Sequence, residues 1–125
     1  MCEFCEVINK RSNLLEKNGA SSCFFDQFPV TRFHMLIIPN RHIETYHDLS
    51  ITELTEVHRM VIGWSKKLQK KDPSITGWNI GWNCKESAGQ TVKHAHCHLI
   101  PRRDGDIDNP IGGVRGVIPD KRIYK

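Results

Sequence analysis

The sequence lacks the features that take a chain into or across a membrane. It contains no apolar run of the length that a membrane span requires, and its first residues do not form a secretory signal. Internal repeats, low-complexity stretches and linker-like segments are also missing. These absences predict a single domain over residues 1–125, located in the cytoplasm and without a membrane partner.

A large excess of positive or negative charge is also missing. The chain has 18 Lys and Arg residues against 14 Asp and Glu residues, which gives a net charge of +4 at pH 7. It contains no basic stripe interleaved with aromatic residues, a pattern typical of nucleic-acid-binding surfaces. We therefore expect no nucleic-acid partner, and the mild positive charge suits small anionic molecules.

Disulfides and a P-loop are not expected either. The five cysteines are an odd number without a secretion signal, so they are expected to be reduced thiols or metal ligands. The Gly112-Gly113 pair is not followed by Gly-Lys-Ser or Gly-Lys-Thr, which a phosphate-binding P-loop requires. With its glycines and prolines, the segment 104–125 is predicted to be an irregular C-terminal arm.

Periodicity indicates two helices and several strands. Ser50 and Glu53 have capping-box spacing, and apolar residues follow at steps of three and four up to Leu68. A shorter helix is predicted over 2–10, and strands are predicted over 21–28, 34–38, 77–83 and 91–100. Strands in hairpins with segregated helices predict the α+β class with an antiparallel sheet.

Three histidines, His94, His96 and His98, occupy every second position near the end of the last predicted strand. Because side chains alternate along a strand, all three imidazoles are expected on one face. Such a row either binds a metal or performs acid–base and nucleophilic chemistry near neutral pH. The spacing alone leaves both interpretations open.

The surrounding residues resemble the histidine triad (HIT) family. The resemblance is carried by Asn79–Lys93, which contains Ala-Gly-Gln-Thr-Val, by the three histidines with Leu-Ile-Pro-Arg after them, and by His34-Met-Leu-Ile-Ile-Pro. It implies a five-stranded antiparallel sheet with two helices, paired into a homodimer. It also implies release of nucleoside monophosphates from purine nucleotides by reaction at the α-phosphorus.

The resemblance implies roles for the catalytic histidines, which are His34, His94, His96 and His98. His96 would attack the α-phosphorus and become a nucleotidyl-histidine, which water then hydrolyses; a neutral imidazole is a good nucleophile at pH 7. His98 would hold phosphate oxygens, and His34 would orient His98.

The resemblance also places a substrate around these histidines. Asp26 matches the position that holds the ribose hydroxyls, and a carboxylate can accept from both. Asn83 matches a position that contacts the phosphate or the leaving group. Gly89, Gln90 and Thr91 are expected to flank the same phosphate pocket.

Cys2 and Cys5 form a Cys-x-x-Cys pair, and a tetrahedral metal site would need two further ligands. Some bacterial members of the family carry zinc on such a pair, and His42 and His94 occupy the positions that complete it. A structural zinc site of Cys2, Cys5, His42 and His94 is therefore expected, and no organic cofactor is expected.

Two alternatives to the nucleotide hydrolase remain open. The histidine row could supply three ligands to a metal-dependent hydrolase, or the chain could bind nucleotides without turning them over. Within the hydrolase interpretation, the substrate is a dinucleoside polyphosphate or a nucleoside phosphoramidate. Five cations slightly favour polyphosphates: Lys85, Lys93, Arg102, Arg103 and Arg115.

Overall fold

Each of the two helices is followed by a group of strands in a computed structural model that describes residues 2–124. The elements are α1 (Glu3–Lys10), β1 (Glu16–Lys17), β2 (Ser21–Phe25), β3 (Met35–Pro39), α2 (Ile51–Lys71), β4 (Ile75–Trp82) and β5 (Cys97–Arg103). No helix in the described part of the chain is long and apolar enough to cross a membrane.

The five strands form one antiparallel sheet in the order β1-β2-β3-β5-β4. The last strand, β5, lies between β3 and β4, with His98 opposite Leu36 on one side and Gly81 on the other. The predicted α+β class, with five antiparallel strands and two helices, is confirmed.

Helix α2 covers one face of the sheet. Its N-terminus has the predicted capping box, in which Ser50 accepts from the Glu53 N–H and the Glu53 side chain accepts from the Ser50 N–H. The helix and the sheet then bury a shared core, and each fully buried apolar side chain of this kind contributes about 1.5–3 kcal/mol. The core residues are Cys23, Met35, Ile37, Val57, Met60, Val61, Leu68, Ile75, Cys97 and Leu99.

The other face of the sheet is covered in two places, with a gap between them. Helix α1 packs Phe4 and Ile8 against Phe24, Leu36 and Ile38, so it covers the β2–β3 half. The arm, residues 104–124, lies over the β4–β5 half and contains two short 3-10 helices over 113–117 and 119–121. The gap between α1 and the arm lies over the start of β5, where His98 is the second residue.

Every predicted strand differs from the observed one at one or both ends, β1 (Glu16–Lys17) was not predicted, and β2 and β5 differ most. Strand β2 ends at Phe25, because the Asp26 carboxylate accepts from the Phe28 N–H at 2.8 Å and turns the chain. Strand β5 begins only at Cys97, since the Ala95 N–H donates to the Ile43 carbonyl, 2.8 Å away, instead of to the sheet. The predicted strand over 91–100 therefore starts too early, and His94 and His96 precede β5.

Candidate functional site

Three of the histidines that the sequence singled out, His34, His96 and His98, converge at the gap between α1 and the arm. His34 comes directly before β3, His98 is the second residue of β5, and His96 lies in the segment that leads into β5. The ring centroid of His98 lies 5.1 Å from the ring centroid of His34 and 5.1 Å from that of His96. Packing leaves His34 only 2% and His96 only 8% exposed, so both imidazoles are buried at the base of the gap.

A chain of hydrogen bonds orients His98. The Val30 N–H donates to His34 Nδ1 at 3.0 Å, so the neutral His34 ring carries its proton on Nε2. That Nε2 lies 2.9 Å from His98 Nδ1 and donates to it. We therefore assign the proton of neutral His98 to its other nitrogen, Nε2. This N–H is free to donate to a ligand in the gap.

Burial keeps His98 neutral. Desolvation, with smaller contributions from His96 and His34, lowers the pKa of His98 to about 4. Desolvation also lowers the pKa of His34, although the nearby Asp26 carboxylate opposes the shift. At neutral pH, His98 therefore offers one N–H donor and no positive charge.

His96 has the opposite tautomer. Its Nδ1 lies 2.8 Å from the carbonyl oxygen of His94, and because a carbonyl can only accept, Nδ1 carries the proton. The lone pair is then on Nε2. The ring of Phe4 packs edge-on against His96 with a centroid distance of 5.1 Å and fixes its plane. His96 can act as a nucleophile, and His98 beside it can act as a hydrogen-bond donor.

His96 opens into a cavity of about 710 Å³ between α1 and strand β2, which we call the α1 cavity. Part of the wall is apolar, and four positions that the sequence singled out also line it. The apolar residues include Phe4, Val7, Phe24, Leu36 and Val92. The four positions are Asp26, Asn83, Gly89 and Thr91. Volume and lining suit a ligand with an apolar part and a part that forms hydrogen bonds.

Asp26 stands at the edge of the α1 cavity next to the histidines. One carboxylate oxygen accepts from the Phe28 N–H, and the other lies 3.5 Å from His34 Nε2. Each oxygen retains lone pairs for further donors. Asn83 lies at a different corner, where it lines this cavity and a second one beneath the arm.

Gln90 does not line the cavity, although the sequence placed it beside the phosphate pocket. Its Nε2 donates to the carbonyls of Glu44 at 2.6 Å and Val92 at 3.0 Å, and its Oε1 accepts from the Lys85 N–H at 2.8 Å. The buried amide thus holds both ends of the loop that presents Gly89.

The second cavity, of about 630 Å³, lies between the arm and strands β4 and β5, and we call it the arm cavity. His34, His98 and Asn83 line it, but His96 does not. Most of its remaining wall is apolar. The apolar residues are Val30, Ile80, Trp82, Ile100, Ile107, Val114 and Val117. No sequence pattern signalled this cavity, because folding brings the arm and β4 together although they are separate in the sequence.

The cations that favoured a polyphosphate substrate are largely paired within the chain. Arg102 forms two 2.8 Å hydrogen bonds with Asp106 and a third with Asn79. Three others pair elsewhere: Arg103 with Asp72, Lys85 with Glu44, and Arg115 with the Lys121 carbonyl. This pairing removes most of the support that composition had lent to polyphosphates.

A separate group of four donors brings together Cys2, Cys5, His42 and His94. Five distances within the group, from the two Sγ and two Nδ1 atoms, run from 3.1 to 3.5 Å. Tetrahedral zinc with N and S ligands has ligand–ligand distances of about 3.3–3.8 Å. His94 Nε2 donates to the Pro39 carbonyl at 2.8 Å, which leaves its Nδ1 lone pair for a metal. The set fits a tetrahedral ion.

The histidine row itself does not form a ligand set. Among residues 2–124, no group of possible ligands contains His94, His96 and His98 together. A group of Asp26, His34 and His98 does lie within 4.8 Å, but the His34 Nε2–H already occupies His98 Nδ1. The geometry therefore favours the nucleophilic interpretation of the row over the metal-dependent one.

Several backbone groups at the site had no signal in the sequence, and two of them are the carbonyls of Pro39 and Glu44. The first sets the tautomer of His94, and the second holds the Gln90 amide. Every residue, proline included, carries a backbone carbonyl, so no pattern of side chains could have singled these two out.

Comparison with known proteins matches residues 8–105 to the model of the HIT domain. A bis(5′-nucleosyl)-tetraphosphatase (asymmetrical) of Schizosaccharomyces pombe is 34% identical over 95 residues, which cover 76% of this chain and 52% of that protein. An adenosine 5′-monophosphoramidase of Candida albicans is 32% identical over 108 residues, with 82% and 71% covered.

A solved structure shares the fold. It is a zinc-bound histidine triad family protein from Mycobacterium smegmatis, with a TM-score of 0.76 and 27% identity. The match covers 84% of this chain and 77% of that one.

Proposed function

This chain belongs to the HIT domain family, and on that premise we propose that it releases nucleoside monophosphates by hydrolysis at the α-phosphorus. One observation supports this above the others. Hydrogen bonds to the His94 carbonyl and from the Val30 N–H give the two neighbouring imidazoles complementary tautomers, a free Nε2 on His96 and an Nε2–H on His98. A nucleophile beside a hydrogen-bond donor is what phosphoryl transfer through a covalent intermediate needs.

In the first half-reaction, His96 Nε2 attacks the α-phosphorus and forms a P–N bond. The bond between phosphorus and the leaving group breaks, and its electron pair goes to the leaving atom, which takes a proton from a water molecule. His98 donates its Nε2–H to a phosphoryl oxygen and, being neutral, needs no counter-charge. The product is a nucleotidyl-histidine and the free leaving group.

In the second half-reaction, the hydroxide left by that water molecule attacks the same phosphorus. The P–N bond breaks, its electron pair returns to His96 Nε2, and the nucleoside monophosphate leaves. The net reaction consumes one water molecule. The His94 carbonyl holds the Nδ1 proton of His96 throughout, so the same tautomer is ready for the next substrate.

The α1 cavity holds the nucleoside monophosphate in this proposal. The purine lies against the apolar wall formed by Phe4, Leu36 and Val92, and Asp26 accepts from the ribose hydroxyls. Thr91 and the backbone at Gly89 receive the α-phosphate, with Asn83 at the leaving-group side. Gln90 acts indirectly, by holding the loop that contains Gly89.

We also propose that the four-donor group binds zinc. Two thiolates and two imidazoles in a tetrahedron are the ligands that structural zinc prefers, and the zinc-bound Mycobacterium smegmatis protein shares the fold. When bound, the ion ties α1 to the segments before α2 and β5. His94 therefore has two tasks: its ring binds the metal, and its carbonyl orients His96.

A homodimer is the proposed assembly. Strand β4 has eight residues and pairs only with β5 in the described sheet, so one edge is open. Long open edges are pairing surfaces, and pairing two β4 strands about a two-fold axis would be self-complementary. Light scattering should give the mass of two chains; the mass of one chain would contradict this assembly.

The activity test measures AMP release from adenosine 5′-phosphoramidate and from diadenosine tetraphosphate. Wild type and His96→Ala are compared, each with and without a chelator added during the assay. We expect release from at least one substrate, resistance to the chelator, and loss in His96→Ala with nucleotide binding retained. Release that survives the substitution but stops with the chelator would instead support the metal-dependent alternative.

A further inference from the structure

We propose that Lys85 is a positioning residue for the substrate: its ion pair with Glu44 maintains a strained backbone conformation, and that conformation places Gly89 at the α-phosphate. This inference rests on the proposed function and assigns a further residue to the same site. The loop concerned follows β4, and we call residues 83–91 the β4 loop. Gly89 and Thr91 line the α1 cavity, whereas the described linings of the two cavities include neither Lys85 nor Glu44.

The backbone at Lys85 has a conformation that glycine adopts readily and other residues avoid. Its φ is +77° and its ψ is 168°. A Cβ atom crowds the backbone when φ is positive and ψ is near 180°, so this region is almost exclusive to glycine. Such strain persists only where the surrounding contacts maintain it, and it is concentrated at functional sites. The contacts of Lys85 therefore decide whether the β4 loop keeps its shape.

Backbone and side-chain contacts together maintain this conformation. The Lys85 N–H donates to Gln90 Oε1 at 2.8 Å. The Lys85 carbonyl accepts from the N–H groups of Ala88 at 3.2 Å and Gln90 at 3.1 Å. The Lys85 ammonium pairs with the Glu44 carboxylate. The backbone contacts are open to almost any residue at this position, whereas the ion pair requires a cation there.

Glu44 is a fixed anchor for this cation, because its own segment is bonded to the site in two places. The Glu44 carbonyl accepts from Gln90 Nε2 at 2.6 Å, which ties the segment to the far end of the β4 loop. The Ile43 carbonyl accepts from the Ala95 N–H at 2.8 Å, next to His96 in the chain. A cation that pairs with Glu44 is therefore held in place relative to the nucleophile.

The exposure of the ion pair sets the size of the expected effect. The side chain of Lys85 is 68% exposed and that of Glu44 is 35% exposed, and an ion pair at the surface shifts an equilibrium by about fivefold at most. Without the pair, strain favours a relaxed loop, and the competent conformation becomes a minor one. Apparent affinity then falls by the competent fraction, while saturating substrate restores the competent loop. Loss of the pair should therefore raise KM and leave kcat unchanged.

The experiment uses variants that separate the strain from the ion pair. Kd for AMP is measured by calorimetry, and KM and kcat are measured with adenosine 5′-phosphoramidate. Lys85→Ala and Glu44→Gln both lose the pair and keep the strain, so Kd and KM should rise by about three- to fivefold. Lys85→Gly loses the pair and the strain together, so both constants should stay within about twofold of wild type. Lys85→Arg keeps the pair and should also remain near wild type. The control Lys70→Ala removes an exposed lysine of α2 and should change neither constant.

The pattern across these variants distinguishes positioning from direct binding of phosphate by the ammonium. If Lys85 bound phosphate, Lys85→Gly would be as impaired as Lys85→Ala, and Glu44→Gln would bind AMP at least as tightly as wild type. Either result, or a change in kcat with KM unchanged, would overturn this inference alone.

Two further readouts complete the test. Thermal melting shows that each variant is folded, and adding Glu44→Gln to Lys85→Gly should weaken AMP binding no further, because glycine does not need the pair. A further loss in that double variant would count against the inference. Wild type that binds AMP but releases none from the phosphoramidate or from diadenosine tetraphosphate would overturn the proposed function, and wild type that does not bind AMP would overturn both.

Discussion

The two ends of the histidine row have the same residue type but different surroundings. At one end, the His94 ring joins two thiols and a second imidazole, and a carbonyl holds its other nitrogen. At the other end, His98 terminates a hydrogen-bond chain that begins at a backbone N–H. The comparison shows that the partner of one ring nitrogen decides what the other nitrogen can do: bind a metal, attack phosphorus or donate a proton.

Removing a thiol from the His94 end should have the largest effect. We expect Cys5→Ser to lose the bound metal and to lower Tm by roughly 10 °C, because metal binding to a folded site is part of the folding free energy. Metal content by mass spectrometry and Tm by circular dichroism are measured together. Cys84→Ser, a change to a free thiol outside the group, is the control and should retain the metal. Equal metal content in both variants would contradict the assigned ligand set.

Breaking the chain at the His98 end should affect turnover instead of metal content. In His34→Ala, His98 loses the donor to its Nδ1, its tautomer is no longer fixed, and kcat should fall by about 10²–10³-fold. His34→Gln restores a donor and should recover part of the loss, whereas KM should change little in either variant. Steady-state kinetics measures both parameters, with the exposed His58→Gln as control. A KM effect with an unchanged kcat would show that His34 does not act through His98.

The low pKa of His98 makes stability depend on pH. The folded pKa is about 4 and the unfolded value about 6.5, so between these pH values the unfolded chain binds a proton that the folded chain does not. Stability contributed by neutral His98 is therefore full above pH 6.5 and is lost as pH falls toward 4, by about 1–3 kcal/mol in total.

Urea unfolding at pH 7 and pH 5 measures this dependence. The wild type should lose more stability than His98→Asn over this range, since protonation of the metal ligands is common to both proteins. Identical losses in the two proteins would show that His98 has an ordinary pKa.

The loop that precedes the histidine row and contains Gly89 and Gln90 should respond most weakly. Gln90→Ala removes three hydrogen bonds to backbone groups, so the backbone at Gly89 becomes less well placed and KM should rise by about tenfold. Gln90→Glu keeps the acceptor for the Lys85 N–H but loses both donors, and it should not restore KM. Substrate titration measures both variants. A KM at the wild-type value in both would remove Gln90 from the positioning of substrate.

Features that depend on neighbouring residues in the chain were predictable from sequence. The capping box at Ser50 and the apolar steps after it predicted α2, and the structure confirms the helix over Ile51–Lys71. The antiparallel α+β fold followed from the same kind of pattern and from the family resemblance. The four proposed metal ligands also lie together, although they come from three separate segments. The family resemblance predicted this grouping, which the spacing of the residues alone could not.

Features that depend on distant backbone groups were not predictable. The start of β5 is set by the Ile43 carbonyl, which captures the Ala95 N–H more than 50 positions away along the chain. Gln90 was expected at the phosphate, but the Glu44 carbonyl and two nearer groups hold its amide. The arm cavity depends on where residues 104–124 lie over β4, and alternation or periodicity contains no information about that contact.

Trapping the covalent intermediate tests the proposed nucleophilic role of His96 most directly. Wild-type protein is mixed with adenosine 5′-phosphoramidate, quenched at high pH, where N-linked phosphoryl groups persist, and digested for mass spectrometry. We predict one adenylyl group on His96 of the wild type and none in the His96→Ala variant. Turnover without any adenylylated histidine, or the label on a residue other than His96, would contradict it.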